Sequence, residues 1–360
     1  MFVSGKSSID LQENVLLSRY STIGLGGNAR LFAVCKTADD IHKALAYAQK
    51  NALEVHVLGG GSNVIFADEG FDGLVLKIET QGVSFEGGGS VTAAAGEQWD
   101  AFVVQCIDRG LGGIECLSGI PGLVGATPIQ NVGAYGQEVA DSIVSLKAID
   151  RKTFANVEFA SRDCGFAYRQ SRFKMQDVDR YVITEVTFQL REDGRAVIGY
   201  PELQRFIAST TNIEAVPSGA PVLRIVRDAV LALRRKKSMV LDPHDPNTRS
   251  VGSFFMNPVV SVSRFNEIQS QWQDSVGVGR IPTFPSGDNV KIPAAWLVEK
   301  AGFTKGYRMG NVGVSQNHSL ALVNHGGSSA ELLDLAVRIQ KAVHDRFGIS
   351  LEREPVVVAS

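Results

Sequence analysis

Through the first eighty residues, short apolar runs alternate with helically spaced apolar positions. Residues 13–36 open on polar turns and then read as a strand, from Ala29 to Cys35. Ile41, Leu45 and Ala48 lie at helical spacing between Asp39 and Asn51, with Thr37 or Asp39 as the N-cap. Glu54 to Leu58, Val64 to Phe66 and Leu74 to Ile78 are short runs bounded by glycine-rich turns, which predict strands. This opening alternates helix and strand as α/β folds do. Trp99, Phe102, Val103 and Cys106 predict a helix that ends near Gly110. Ser142 to Ile149 and Tyr181 to Leu190 alternate apolar with polar, the pattern of antiparallel strands. From Pro217 the character shifts. A helix is expected from Pro221 to Lys237, then helices over 264–273, 293–301 and 329–346. Strands are expected at Leu320 to Val323 and around the Glu354-Pro355 step.

A chain of 360 residues, 44% hydrophobic, can bury a large core, and its length suggests two or three domains. Its 36 basic and 38 acidic residues are spread evenly, which favours neither nucleic acid nor a membrane surface as partner. The amino terminus lacks the apolar run of a signal peptide, and no stretch is apolar enough to span a bilayer. A soluble, cytoplasmic protein is expected. Cys35, Cys106, Cys116 and Cys164 show no metal-binding spacing and read as reduced, buried thiols, so no metal is expected.

Glycine changes the picture. There are 37, about 10% against a usual 7%, clustered within the first 140 residues. Glycine is needed where backbone takes positive φ or approaches a ligand closely. Gly24 to Ala29 mimics a dinucleotide fingerprint but lacks a strand before it and a helix after it. Gly59-Gly60-Gly61-Ser62-Asn63 does follow a strand, and reads either as a tight turn or as an anion nest of backbone amides. It lacks the Lys-Ser/Thr of an ATPase loop. The stretch from Gly113 to Gly136 is too apolar for a disordered linker and too broken for a helix. A buried loop wrapping a ligand fits it.

Four further places could carry chemistry. In Gly252-Ser253-Phe254-Phe255-Met256-Asn257-Pro258 a small hydroxyl follows a hinge and precedes two rings that would keep water away; a capped turn with core rings is the plainer alternative. Arg169, in an aromatic and cationic cluster, could grip a carboxylate or simply pair with a surface acid. Glu354 in an apolar strand could face a site or occupy a solvent-facing edge. Arg234 to Lys237 could meet phosphate or complement a helix dipole.

Taken in order, Gly59 to Asn63, Ile120-Pro121-Gly122 through Asn131 to Gly136, Tyr168 to Ser171, Gly252 to Phe255, Val290-Lys291 to Trp296-Leu297 and Leu351 to Glu354 resemble the UDP-N-acetylenolpyruvoylglucosamine reductase family, in its longer, loop-bearing type. The resemblance covers roughly residues 14 to 358. It implies an α+β protein: a vanillyl-alcohol oxidase/p-cresol methylhydroxylase-type FAD-binding fold in two subdomains, residues 1–80 and 81–215, then an α/β substrate-binding domain, 216–348, and a strand, 349–360, that returns to the active site. It implies noncovalent FAD, held by Gly59 to Asn63 at the diphosphate and by Ile120, Pro121, Gly122, Gly125 and Gly133 around the flavin. NADPH would reduce the flavin. N5 would then deliver hydride to C3 of UDP-N-acetylglucosamine enolpyruvate, with Ser253 giving the proton to C2 and Arg169 and Glu354 stabilising the charge. Tyr135, Tyr200, Asn257, Lys291 and Lys305 match substrate-contacting positions, and a monomer is expected. The chain departs from the family at Met239 and Met256, where lysines would stand, and at Val356, where an arginine would. A related oxidase of the same fold, with flavin linked near Cys116, and a non-catalytic binding protein are the competing readings.

Overall fold

The computed structural model describes residues 9–213, 216–276 and 279–359. Helix α1 (Ala38–Lys50) starts where its capping chemistry dictates. Thr37 Oγ1 accepts from the Asp40 amide at 3.1 Å, while the Asp40 carboxylate accepts from the Thr37 amide at 2.9 Å. Its apolar stripe of Ile41, Ala44, Leu45 and Ala48 is buried against a sheet. That sheet contains β1 (Leu11–Leu16), β2 (Asn28–Cys35), β3 (Val55–Leu58) and β5 (Phe71–Ile78), in the order β1-β2-β5-β3. β5 runs parallel to both β2 and β3, as the alternation in the sequence predicts. Between β3 and β5 lies the short β4 (Val64–Phe66), outside the sheet. β1 is a strand where polar turns were expected. It pairs antiparallel at the sheet edge and leaves Gln12, Glu13 and Asn14 exposed, so its sequence carries little apolar signal.

The second layer is an antiparallel sheet of β6 (Val83–Gly87), β7 (Ser90–Ala94), β10 (Ile143–Asp150), β11 (Asn156–Ala160) and β12 (Tyr181–Gln189), ordered β11-β10-β12-β7-β6. Helix α2 (Trp99–Asp108) packs Trp99 and Phe102 onto Phe188 of this sheet. The long glycine-rich segment contains the two-residue strands β8 (Gly133–Ala134) and β9 (Gln137–Glu138). Helices α3 (Pro201–Thr210) and α4 (Ala220–Lys236) pack on each other through Leu203, Ile207, Val226 and Val230. Arg227 grips both oxygens of Asp100, at 2.6 and 2.7 Å, fixing α4 to the start of α2.

A second core gathers β13 (Val259–Ser261), α5 (Val262–Val276), β15 (Asn289–Lys291), α6 (Ala294–Lys300), β16 (Arg308–Met309), β17 (Val312–Val314), β18 (Leu322–Asn324) and α7 (Ser329–Phe347), with the exposed β14 (Phe284–Ser286) paired antiparallel to β15. The chain then crosses back, and β19 (Val356–Val358) lies parallel to β4, Val356 opposite Val64. The carboxyl-terminal strand is shorter than expected, because Arg353 makes only an isolated bridge to Phe255 before Pro355 removes a donor. No helix among the described residues is long and apolar enough to cross a membrane. All four cysteines are free and buried.

Candidate active site

Two glycine loops meet face to face at the heart of the molecule. Gly60 lies so close to Gly122 that an added Cβ would stand 2.6 Å from its Cα. Gly61 has φ +67°, and a Cβ there would stand 1.8 Å from the Tyr20 carbonyl oxygen. Ser62 Oγ donates to the Pro121 carbonyl at 3.1 Å and so ties the loops together. Gly61→Ala is therefore expected to lose at least roughly 1–3 kcal/mol in denaturant unfolding from the left-handed backbone alone. Gly59→Ala, whose nearest neighbour would be Ala126 Cβ at 3.7 Å, is expected to fold normally.

The loops line one cavity of about 550 Å³. The amides of Gly60, Gly61 and Ser62 make no hydrogen bond among the described residues, so donors remain for an anionic group. Of the residues predicted to hold the cofactor, Gly59, Gly60, Gly61, Ser62, Asn63, Ile120, Pro121, Gly122 and Gly133 line this cavity. Gly125 is not among the lining residues. It is glycine because a Cβ would sit 2.4 Å from Ala95 Cβ, a packing demand.

The reacting wall is assembled by main chain. Phe254 donates its amide to the Leu320 carbonyl at 2.8 Å, and its carbonyl accepts from the Glu354 amide at 2.9 Å. Ser253 and Glu354 are thereby set on neighbouring paired segments, and both residues line the cavity. Of the two readings of the Phe pair, water-excluding rings and core rings, the structure has the second. Phe254 and Phe255 are buried in the second core, where they anchor the segment that carries the hydroxyl. Arg169 reaches the same wall from the other sheet's loops, with φ +55°. Its Nε lies 3.2 Å from Glu354 Oε1, and its Nη2 donates to the Gly133 carbonyl at 2.6 Å. Asn63 Nδ2 donates to Gln130 Oε1 at 2.7 Å and to the Glu354 carbonyl at 3.3 Å, linking the glycine loop to this wall. Burial lifts the Glu354 carboxyl above its ordinary pKa, against the opposing pull of Arg169 and Lys174.

A cationic end completes the cavity. Tyr135 and Tyr200 both line it, edge to face with ring centroids 5.5 Å apart. Burial pushes the Tyr135 hydroxyl up to about 12. Arg234 and Lys237 line the same region. Lys236 instead stacks on Phe206, 4.9 Å from the ring centre. Arg234 is buried, donates through Nη2 to the Met239 carbonyl at 2.7 Å, and has an Nε with no partner among the described residues. His318 lines the cavity nearby. Its Nδ1 accepts from the Leu320 amide, and burial with the cations Lys237, Lys305 and Arg234 pushes the imidazole down to about 4. It is thus neutral near pH 7.

Three expected substrate contacts are not among the cavity-lining residues. Asn257 donates to Tyr168 Oη at 3.3 Å, and its Oδ1 accepts from the Ala294 amide at 2.8 Å, which caps the entry to α6. Lys291 Nζ stands 3.5 Å over the Tyr168 ring. Lys305 is exposed. Sequence reasoning missed His56, Gln130 and His318, since a single polar residue near an apolar run carries no spacing signal.

Comparison with known proteins agrees with this arrangement. The model of the UDP-N-acetylenolpyruvoylglucosamine reductase C-terminal domain matches residues 243–358, and that of an FAD binding domain matches 29–153. A Thermobifida fusca protein named UDP-N-acetylenolpyruvoylglucosamine reductase is 45% identical over 353 residues, 96% of this chain and 97% of its own. A Mycobacterium tuberculosis protein of the same name is 41% identical over 359 residues, 97% and 95%. The crystal structure of that reductase (MurB) from Thermus caldophilus superposes with a TM-score of 0.67 at 22% identity, covering 97% of this chain and 99% of the other, and shares the fold. The α+β architecture with an FAD-binding domain is thus the one expected. The chain is a member of the UDP-N-acetylenolpyruvoylglucosamine reductase family and an FAD-dependent oxidoreductase.

Proposed function

We propose that the protein catalyses NADPH-dependent reduction of UDP-N-acetylglucosamine enolpyruvate to UDP-N-acetylmuramate, in the cytoplasm, for peptidoglycan precursor synthesis. The observation that carries this reading is the meeting of Ser253, Arg169 and Glu354 on the wall of one cavity whose other walls are glycine loops. Unpaired loop amides, close-packed glycines and the matched FAD-binding domain fit a bound dinucleotide. When bound, the flavin supplies hydride from N5 to C3 of the substrate. The chain's own residues do the rest. Ser253 donates a proton to C2, Arg169 holds the carboxylate on which charge gathers, and Glu354 orients Arg169 and the developing enol.

The cationic end takes the UDP diphosphate through Lys237 and Arg234, with Lys237 in the place that Met239 cannot fill. Tyr200 then closes over the uridine. Asn257 and Lys291 act through Tyr168, the neighbour of Arg169, and Lys305 adds positive potential at the rim. Noncovalent FAD is supported by Cys116, which is buried beneath the Tyr135 and Tyr200 cluster with Sγ 3.8 Å from the Val197 carbonyl oxygen and is not among the cavity-lining residues. The flavin-binding part comprises residues 1–80 and 81–215 together with α4, whose apolar face packs on α3 and Cys116. The substrate-binding domain follows to residue 348, and the strand within 349–360 closes the site.

The purified protein is expected to be yellow, to bleach with NADPH without oxygen, and to recolour on adding the enolpyruvyl substrate. Bleaching without recolouring would favour another oxidoreductase of this fold. A colourless protein that binds no flavin would end the reading.

A further inference from the structure

The loop Gly59–Asn63 has two ends that face different chemistry. At one end, Asn63 hydrogen-bonds to Gln130 and to the Glu354 carbonyl, beside the reacting wall. At the other end the loop leaves β3, whose His56 lines the same cavity together with Asp179. A flavin dinucleotide with its diphosphate over the loop and its ring system toward Glu354 therefore brings its adenosine to His56 and Asp179.

The chemistry at that end fits. The His56 ring stands edge-on to Phe66 and Phe71, with centroids 5.4 and 6.2 Å away, and has no hydrogen-bond partner among the described residues. Burial pushes its imidazole down to about 4, against the nearby Asp179 carboxylate. Near pH 7 it presents one N–H donor and one bare nitrogen acceptor, which suits the alternating donor and acceptor edge of adenine. Asp179 has its carbonyl fixed by Arg151 Nη1 at 2.6 Å, and Arg151 Nη2 donates to the Val55 carbonyl at 2.8 Å. The Asp179 carboxylate itself lies 3.9 Å from that guanidinium and is 78% exposed, so it keeps acceptor capacity for ribose hydroxyls.

We propose that His56 and Asp179 hold the adenosine of the cofactor, Asp179 accepting from the ribose hydroxyls and His56 hydrogen-bonding the adenine edge, so that this end selects FAD over FMN. The proposal rests on the reading that the cavity takes FAD. It is tested by stripping the flavin from the full chain and titrating the apoprotein with FAD and with FMN, following the change in flavin fluorescence. FMN lacks the adenosine and so serves as the internal control. Asp179→Ala is expected to weaken FAD roughly 10–100-fold, as for one charge-assisted hydrogen bond, and to leave FMN affinity unchanged. His56→Phe, which keeps an aromatic ring against Phe66 and Phe71, is expected to weaken FAD selectively as well. Asp179→Asn, at an exposed position, is a second variant that removes the charge with little change of shape. Unchanged FAD affinity, or equal loss of FAD and FMN, overturns the proposal. Wild-type apoprotein that binds FMN but shows no preference for FAD overturns it too, without touching the flavin reading. Binding of neither flavin by the wild type removes that reading and this proposal together.

Discussion

Ser253→Ala is expected to slow reoxidation of the reduced flavin by substrate by about 10²–10⁴-fold, the usual contribution of a positioned general acid, while reduction by NADPH stays near the wild-type rate. The split follows from the geometry. Ser253 stands in the cavity on a segment fixed by the amide of Phe254 on one side and the amide of Glu354 on the other. Removing its oxygen leaves that backbone pairing and the two anchoring rings untouched, so flavin binding and the approach of NADPH are preserved. On the proposed reading, what disappears is the proton donor to C2. Rapid-mixing spectra of each half-reaction check this directly. Equal loss in both halves would mean that Ser253 shapes the cavity rather than supplying a proton.

Glu354→Gln is expected to reduce turnover by about 10²–10³-fold, the scale of losing one electrostatic stabiliser of developing charge. Its effect on stability should run the other way. Burial raises the folded-state pKa of Glu354 above its unfolded value. Its favourable contribution is therefore complete below the unfolded pKa and is lost as pH rises through the folded one. Glutamine is neutral throughout and escapes that loss. Arg169 keeps its carbonyl partners at Asn131 and Gly133 in the variant. The variant is expected to melt at or above wild type near about pH 8 and to converge with it below about pH 4. Thermal unfolding across that range, alongside turnover, distinguishes this from a structural role, for which activity and stability would fall together.

The parts of the fold visible in the sequence are those whose local chemistry is self-sufficient. Thr37 and Asp40 cap α1 with their own side chains, and Ile41, Leu45 and Ala48 mark its buried face. β2, β3 and β5 announce themselves as apolar runs because both faces of that sheet are covered. β1 stayed hidden because an edge strand with exposed Gln12 and Glu13 looks like a polar loop. In the site, glycines 60 and 61 answer to backbone contact that forbids a Cβ, and Gly122 to its φ of +125°. The family resemblance implied a flavin contact for Gly125, and in the structure a Cβ there would meet Ala95. For the Phe pair the sequence left two readings open, and the plainer one, core rings, holds. A hydroxyl next to two rings cannot say whether the rings share its side of the chain, and here both adjacent rings are buried in the second core. His56 and His318 were out of reach, since their surroundings come from segments far apart in the chain.

Hydride and proton are proposed to reach opposite faces of one alkene, the proton from Ser253. A crystal structure of the FAD-loaded protein with the enolpyruvyl substrate tests it most directly. Ser253 Oγ is expected about 3–3.5 Å from C2, on the face turned away from the flavin ring, with N5 at a similar distance from C3. Ser253 Oγ on the flavin side of the alkene, or out of reach of C2, would contradict it.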